Sequence, residues 1–275
     1  IIDPNERGLN FEFFLQRLLN YYKNKDCRFL FISAVLPNAE DFAKWITGSP
    51  DQLVESNWRP SRLMLGKLVW NGSSVRIIYT HENNEEFQQE CFVPNFIERF
   101  NCQELTGIQR THYPNNAKEC LAYSSLLFAK EGTTLVFAGQ KREVKPFGKE
   151  IVQAIKIYKE KKRIKGEEFD LINPDKREYV EKCKKIIESE LGEESYLLDF
   201  LNFGFVIHHG GLPHKVRVAI EDLVRSNGVP LIIATSTLAE GVNLPIKTVL
   251  VKSIYHGFGI PIDPLKFWNI CGRAG

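Results

Sequence analysis

Residues suited to binding phosphate cluster in short stretches near the end of the chain. Thr235-Ser236-Thr237 directly follows an apolar run at 231–234, and Gly241 and Asn243 come soon after. Arg273 stands between Gly272 and Ala274-Gly275. Hydroxyl and guanidinium groups donate hydrogen bonds to anionic oxygens, while Gly and Asn tolerate the tight turns that bring the backbone close to a ligand. These residue types indicate phosphate chemistry.

Two earlier stretches also place polar residues after an apolar run. Lys141 and Arg142 follow the run at 133–137, and they would either contact phosphate or lie as surface cations on a solvated loop. His209 and Gly210 follow the run at 204–207. The adjacent His208 and His209 are disfavoured as metal ligands for two reasons: neighbouring residues of a strand point in opposite directions, and no acidic residue or cysteine lies near in sequence. We expect His209 and Gly210 to contact a nucleic-acid backbone or to make structural hydrogen bonds.

The elements that would carry these residues indicate an α/β fold. Continuous apolar runs at 231–234 and 248–251 fit buried parallel strands, and they alternate with stretches of helical periodicity. The predicted helices cover 116–128, 173–192 and 215–225, a short helix from 196, and a last one that begins at Asp263. Alternation of this kind predicts a parallel sheet flanked by helices, with ligands at the carboxyl ends of the strands.

The first part of the chain predicts a separate body and a connector. Residues 11–19 repeat apolar side chains at helical spacing, residues 27–33 read as an apolar strand, and a helix follows Asn38. Asn71-Gly72 predicts a hairpin between strands at 62–70 and 75–79. The stretch 82–114 lacks periodicity, so we expect loops and short helices there.

Composition excludes some classes of protein. The 275 residues exceed the usual size of one domain, and 43% hydrophobic with 25% charged residues is ordinary for a soluble protein. No apolar run approaches the roughly 18 residues of a membrane helix and no signal peptide is visible, so we expect a cytoplasmic protein without a membrane partner. The six cysteines form no C-x-x-C pair, so they are expected to be reduced, and no metal site is predicted.

Several strings resemble motifs of superfamily 2 helicases of the DEAD/DEAH-box type. A-T-S-T-L-A-E-G-V-N-L-P at 234–245 is similar to motif V, and N-I-C-G-R-A-G at 269–275 is similar to motif VI. The branch that these strings resemble includes the superkiller-type RNA helicases and the archaeal repair helicases. Shorter resemblances are E-R-G-x-x-x-E at 6–12, motif III at 31–38, W-R-P at 58–60, the basic turn of motif IV at 138–142, and H-H-x-G-L at 208–212.

The resemblance implies a RecA-like fold and a division of the chain. Residues 1–48 would be the C-terminal part of a first RecA-like domain, 49–115 a connector with a β-hairpin, and 116–275 most of a second RecA-like domain. The sequence departs from the family pattern at Val35 and Asn269, where Thr and Gln are usual, and it stops one residue before the second arginine of motif VI. We therefore expect a fragment that begins after the D-E-x-H box.

The resemblance also implies roles for single residues. Arg273 would stabilise charge on the γ-phosphate of ATP, and Ser33-Ala34 would couple hydrolysis to movement. The implied nucleotide contacts are Gly241, Asn243, Asn269 and Gly272. The implied nucleic-acid contacts are Thr235, Ser236, Lys141, Arg142, His209 and Gly210. ATP and Mg²⁺ would be bound mainly by the first domain, because no G-x-x-x-x-G-K-[ST] string occurs in this sequence.

The implied function is that of an ATP-dependent helicase in which hydrolysis drives movement along a DNA or RNA strand. The fragment alone is expected to be inactive. An alternative is a helicase-like scaffold that grips nucleic acid or protein without unwinding; an unrelated α/β nucleotide-binding enzyme would require both motifs to be coincidental. Single-stranded DNA or RNA is the expected partner, together with proteins of a repair, RNA-decay or phage-defence complex.

Overall fold

The computed structural model describes residues 6–33, 38–56, 64–80, 91–105, 111–235, 244–255, 259, 261–272 and 274. The chain divides into two compact units, residues 1–59 and 60–275. Each unit is described by itself below. The division into domains at 48 and 115 remains a prediction.

The first unit contains two helices, α1 (Glu6–Tyr22) and α2 (Ala39–Thr47), and both were predicted. Leu15 is the buried member of the apolar stripe of α1. Helix α2 begins after Asn38 and ends at Gly48, whose φ of 82° is the left-handed conformation that favours glycine at a helix end.

The predicted strand at 27–33 is wrong. Among the described residues of the first unit, no segment pairs with it, and a strand without a partner leaves its backbone groups without a ladder. Leu30 and Ile32 are correspondingly 84% and 85% exposed. The apolar run alone led to a predicted strand, and the described residues of this unit provide no strand that pairs with it.

The second unit starts with an antiparallel sheet of β1 (Leu65–Trp70), β2 (Ser74–Thr80) and β3 (Cys91–Glu98). The predicted hairpin is confirmed: Asn71 Oδ1 accepts hydrogen bonds from the backbone N of Ser73 (2.9 Å) and of Ser74 (2.7 Å).

Strand β3 corrects the prediction of loops and short helices over 82–114. Pairing with β2 supplies its ladder, and Pro94 and Asn95 (φ 50°) lie where the register shifts. A two-residue ribbon of β4 (Phe100–Asn101) and β5 (His112–Tyr113) follows.

The centre of the second unit is a four-stranded parallel sheet, which confirms the predicted fold class. Its strands are β6 (Thr134–Phe137), β7 (Phe205–His208), β8 (Leu231–Ala234) and β9 (Thr248–Val251), in the order β7-β8-β6-β9. Every residue of β6, β7 and β8 is buried, as expected of a parallel sheet covered on both faces.

Helices cover this sheet, and each was predicted from its apolar periodicity or its termini, except the long fourth helix. They are α3 (Ala117–Glu131), α4 (Lys141–Ile164), α5 (Arg177–Leu191), α6 (Tyr196–Asn202), α7 (His214–Arg225) and α8 (Pro264–Cys271). In the described part of the chain, no helix has the length and apolar character that crossing a membrane requires.

Candidate functional site

The candidate site lies where the four parallel strands end at one edge of the sheet. The register pairs Ala234 of β8 with His208 of β7 and with Phe137 of β6. Backbone hydrogen bonds extend this register by one residue: Thr235 N donates to His208 O (3.3 Å), and Ala138 N donates to Ala234 O (2.9 Å). The segments that follow the strands are thereby held side by side.

The turn after β7 presents a buried histidine as a hydrogen-bond donor. His209 is 4% exposed, and the backbone N of Gly211 donates to its Nδ1 (3.1 Å). Because Nδ1 accepts, the proton of the neutral ring is on Nε2. Burial lowers the pKa of His209, and the nearby charges of Lys141 and then His208 lower it further. The ring is therefore a neutral N–H donor near pH 7.

Lys141 begins α4 and reaches the same turn. Its ammonium group lies against Gly211: a Cβ added at that glycine would meet Lys141 Cε at 2.9 Å and His209 Nδ1 at 3.3 Å. A side chain at 211 would displace the end of the Lys141 side chain from this position and press on the His209 ring. Gly210 is exposed on the same turn. Among the described residues, neither Lys141 nor Arg142 has an ion-pair partner, and both are exposed.

The structure describes only some of the other predicted site residues. Thr235 is buried at the end of β8. Ser236, Gly241, Asn243, Arg273 and Ala34 lie outside the described residues. Ser33 is exposed and belongs to the first unit. The structure thus brings together Lys141, His209, Gly210 and Thr235, and the roles of the remaining residues stay predictions.

The predicted nucleotide contacts that are described lie at the end of α8. Asn269 is half-buried, and Gly272 is exposed immediately after the helix, where its N donates to Trp268 O (2.7 Å). Ile270 packs with Ile262 and with Phe137, the last residue of β6. An amide side chain and an exposed glycine are compatible with a nucleotide, and they are the only described members of the predicted set.

A buried contact ties β7 to α7 and was not predicted. His208 is 1% exposed and its Nε2 lies 2.9 Å from Glu221 Oε1. Burial lowers the pKa of His208 and outweighs Glu221, which raises it; Arg217 lowers it as well. No sequence signal pointed to Glu221, because its contact arises from tertiary packing. Gly211 could have been found, since a Gly-Gly pair directly after a strand marks close backbone approach.

A metal centre has no support in the described part of the chain. There, no group of three or more His, Cys, Asp or Glu side chains could hold an ion. His208, the last residue of β7, contacts Glu221, and His209, which follows it, accepts a hydrogen bond from the backbone of Gly211.

Comparison with known proteins shows which proteins this chain is similar to. Residues 176–275 match the family described as helicase conserved C-terminal domain. Hachiman protein HamB of Bacillus cereus is 31% identical over 273 residues, which is 98% of this chain and 23% of that protein. ATP-dependent DNA helicase Hel308 of Methanococcus vannielii is 27% identical over the whole chain, which corresponds to 32% of that protein.

Residues 176–275 therefore match a helicase C-terminal domain, and the whole chain is similar to superfamily 2 helicases. A second Hel308, from Pyrococcus horikoshii, is 25% identical over the whole chain and 31% of its own length. The chain spans about a quarter to a third of the length of these curated relatives. This similarity agrees with the motifs and with the parallel sheet of the second unit.

Proposed function

We propose that the intact protein is an ATP-dependent helicase that moves along single-stranded DNA, and that this chain supplies part of its strand-contacting surface. DNA is preferred over RNA because two of the relatives are named ATP-dependent DNA helicases. The observation that carries the proposal is the convergence of Lys141, the turn 209–211 and Thr235 at the carboxyl edge of one parallel sheet.

The geometry suits a phosphodiester group. The Lys141 ammonium supplies a positive charge, and the neutral His209 supplies an N–H donor beside it. The exposed backbone of Gly210 allows a phosphate to approach closely. Contacts of these kinds position a strand without distinguishing its sequence, as a translocating enzyme requires.

ATP hydrolysis supplies the free energy for movement in such an enzyme. Arg273, Asn269 and Gly272 are the residues of this chain that the helicase resemblance assigns to the nucleotide, together with Gly241 and Asn243. Their part is to contact the nucleotide and, for Arg273, to stabilise charge on the transferred phosphoryl group, an effect worth about 10³–10⁵ in rate in related enzymes.

The test is the ATPase rate of the intact protein, with and without single-stranded DNA or RNA. We expect DNA to stimulate the wild-type rate. Arg273→Ala should abolish the stimulated rate and leave DNA affinity largely intact. Arg225→Ala, on the surface of α7, is the matched control and should behave as wild type. An Arg273→Ala protein with the wild-type stimulated rate would overturn the assigned role of Arg273.

A second candidate is a helicase-like scaffold that binds nucleic acid without unwinding. Val35 and Asn269, which stand where Thr and Gln are usual in the family, favour it. The same assay separates the two: binding of DNA and RNA with no stimulation of ATPase by either would favour the scaffold. A cytoplasmic location and protein partners in a repair, RNA-decay or phage-defence complex belong to either candidate as proposals.

A further inference from the structure

An ion pair joins the end of β9 to the first turn of α4. Lys252 follows β9 directly, and its Nζ is paired with Oε2 of Glu143. The pair is partly shielded from water, since the side chain of Lys252 is 14% exposed and that of Glu143 is 36% exposed. It connects two segments that are far apart in sequence, and both belong to the second unit.

The backbone reinforces this connection. Lys252 N donates to Phe137 O (3.0 Å), which extends the pairing of β9 with β6 by one residue. Gly139, in the turn between β6 and α4, has a φ of 73°, and a Cβ built there would lie 3.6 Å from Tyr255 O. The segment 252–255 therefore lies against the turn from which α4 starts.

The charges in this turn of α4 explain what the pair contributes. Lys141, Arg142 and Glu143 are consecutive, so they project in different directions around the helix axis. Lys141 reaches Gly211 in the candidate site, whereas Glu143 reaches Lys252. An uncompensated carboxylate this close to Lys141 would repel a phosphate through space.

We propose that Lys252 is a positioning residue for strand binding: it neutralises Glu143 and fixes the first turn of α4 so that Lys141 faces the strand. The proposal rests on the proposed function, because it assigns Lys252 an effect on the same phosphate contact. Glu143 would accordingly weaken strand binding only when Lys252 is absent. Neither residue was singled out by the sequence motifs.

The test uses the intact protein and measures two quantities: the affinity for single-stranded DNA and the DNA-stimulated ATPase. Lys252→Met should weaken DNA affinity about fivefold to tenfold, as one unpaired charge a few ångströms from a phosphate would do. The DNA concentration for half-maximal ATPase should rise by the same factor while kcat at saturating DNA is unchanged. Lys252→Arg preserves the pair and should keep wild-type affinity.

A second substitution distinguishes local repulsion from a general change in charge. Glu143→Gln added to Lys252→Met should restore most of the affinity. Glu150→Gln, two helical turns further along α4, restores the same net charge but should not rescue binding. Unchanged affinity in Lys252→Met, or equal rescue by the two glutamine substitutions, would overturn the inference. Absence of DNA binding by the wild-type protein would instead overturn the proposed function.

Discussion

At the scale of single residues, the candidate site places the cation of Lys141 beside the neutral donor of His209. Burial lowers the pKa of the His209 imidazole, and the nearby ammonium charge of Lys141 lowers it further, so His209 does not add a second positive charge near pH 7. The backbone N of Gly211 fixes which ring nitrogen keeps the proton. The consequence is a site in which the salt-dependent part of binding comes from Lys141.

Lys141→Gln should therefore change the salt dependence of DNA binding. Affinity for single-stranded DNA should fall, and the slope of log affinity against log salt should become shallower by about 0.7, the value for loss of one phosphate contact on a single strand. Fluorescence anisotropy across a salt series measures both quantities. Lys149→Gln, an exposed position further along α4, removes the same charge and should keep the wild-type slope.

If Lys141→Gln and Lys149→Gln lower the slope equally, binding follows net charge and Lys141 has no special position.

Part of this site could be predicted from residue types and their order. Lys141, His209, Gly210 and Thr235 each follow an apolar strand, and parallel strands align their carboxyl ends. Glu221 and Lys252 could not be found, because a carboxylate on a helix and a lysine after a strand are common, and only packing brings each to its partner.

At the scale of elements, the His208–Glu221 contact holds β7 against α7. The imidazole is buried at the end of the strand, while Glu221 lies one helical turn before the end of the helix. A buried polar group that loses its partner costs more than an exposed one, because water cannot replace the hydrogen bond. The two elements should therefore depend strongly on this contact.

Glu221→Ala should lower the free energy of unfolding by about 1–3 kcal/mol, because Nε2 of His208 would remain buried without its partner. The neighbouring Asp222 is the matched control: it pairs with Arg225 on the surface, and Asp222→Ala should cost about 0–1 kcal/mol. Urea unfolding of each variant measures the difference. Equal effects of the two substitutions would show that the His208 contact contributes no more than a surface pair.

The elements themselves were predictable where the pattern was continuous. β8 and β9 were found with the bounds that the structure has, because fully buried parallel strands are short apolar runs. β3 was missed because Pro94 and Asn95 interrupt its alternation where the sheet bulges. The apolar run at 27–33 gave the opposite error, because a strand was predicted there and none is formed. An apolar run indicates burial, but a strand also needs a partner.

At the scale of the whole molecule, charge is nearly balanced, and we expect two buried histidines to contribute to the pH dependence of stability. Lys and Arg total 36 and Asp and Glu total 34, so the net charge of +2 has little influence on the fold. Burial lowers the pKa of both His208 and His209 from the ordinary 6.5. As the pH falls, the unfolded chain therefore binds protons before the folded chain does.

The protein should accordingly lose stability on mild acidification. The contribution of the two neutral histidines is complete above their unfolded pKa of 6.5, and it is lost as the pH falls from 6.5 toward their lower folded pKa values. The urea concentration at the midpoint of unfolding should decrease as the pH is lowered from about 7.5 to about 5.5.

His209→Asn removes a titrating imidazole and keeps an acceptor for Gly211 N, so the loss of stability with falling pH should become less steep. His214→Gln, exposed on α7, should follow the wild-type curve. A decline in His209→Asn as steep as in wild type would assign the pH response to other groups.

The strand order has a consequence for biosynthesis. β6 is central in the sheet, yet both of its neighbours, β8 and β9, follow it in the chain. At roughly 5–20 residues per second, a ribosome needs several seconds to advance from Phe137 to Leu231. Throughout that interval the nascent β6 is an apolar strand with both edges open, and aggregation through such edges competes with folding. We therefore expect the rate of synthesis along α4 to α7 to influence the yield of folded protein.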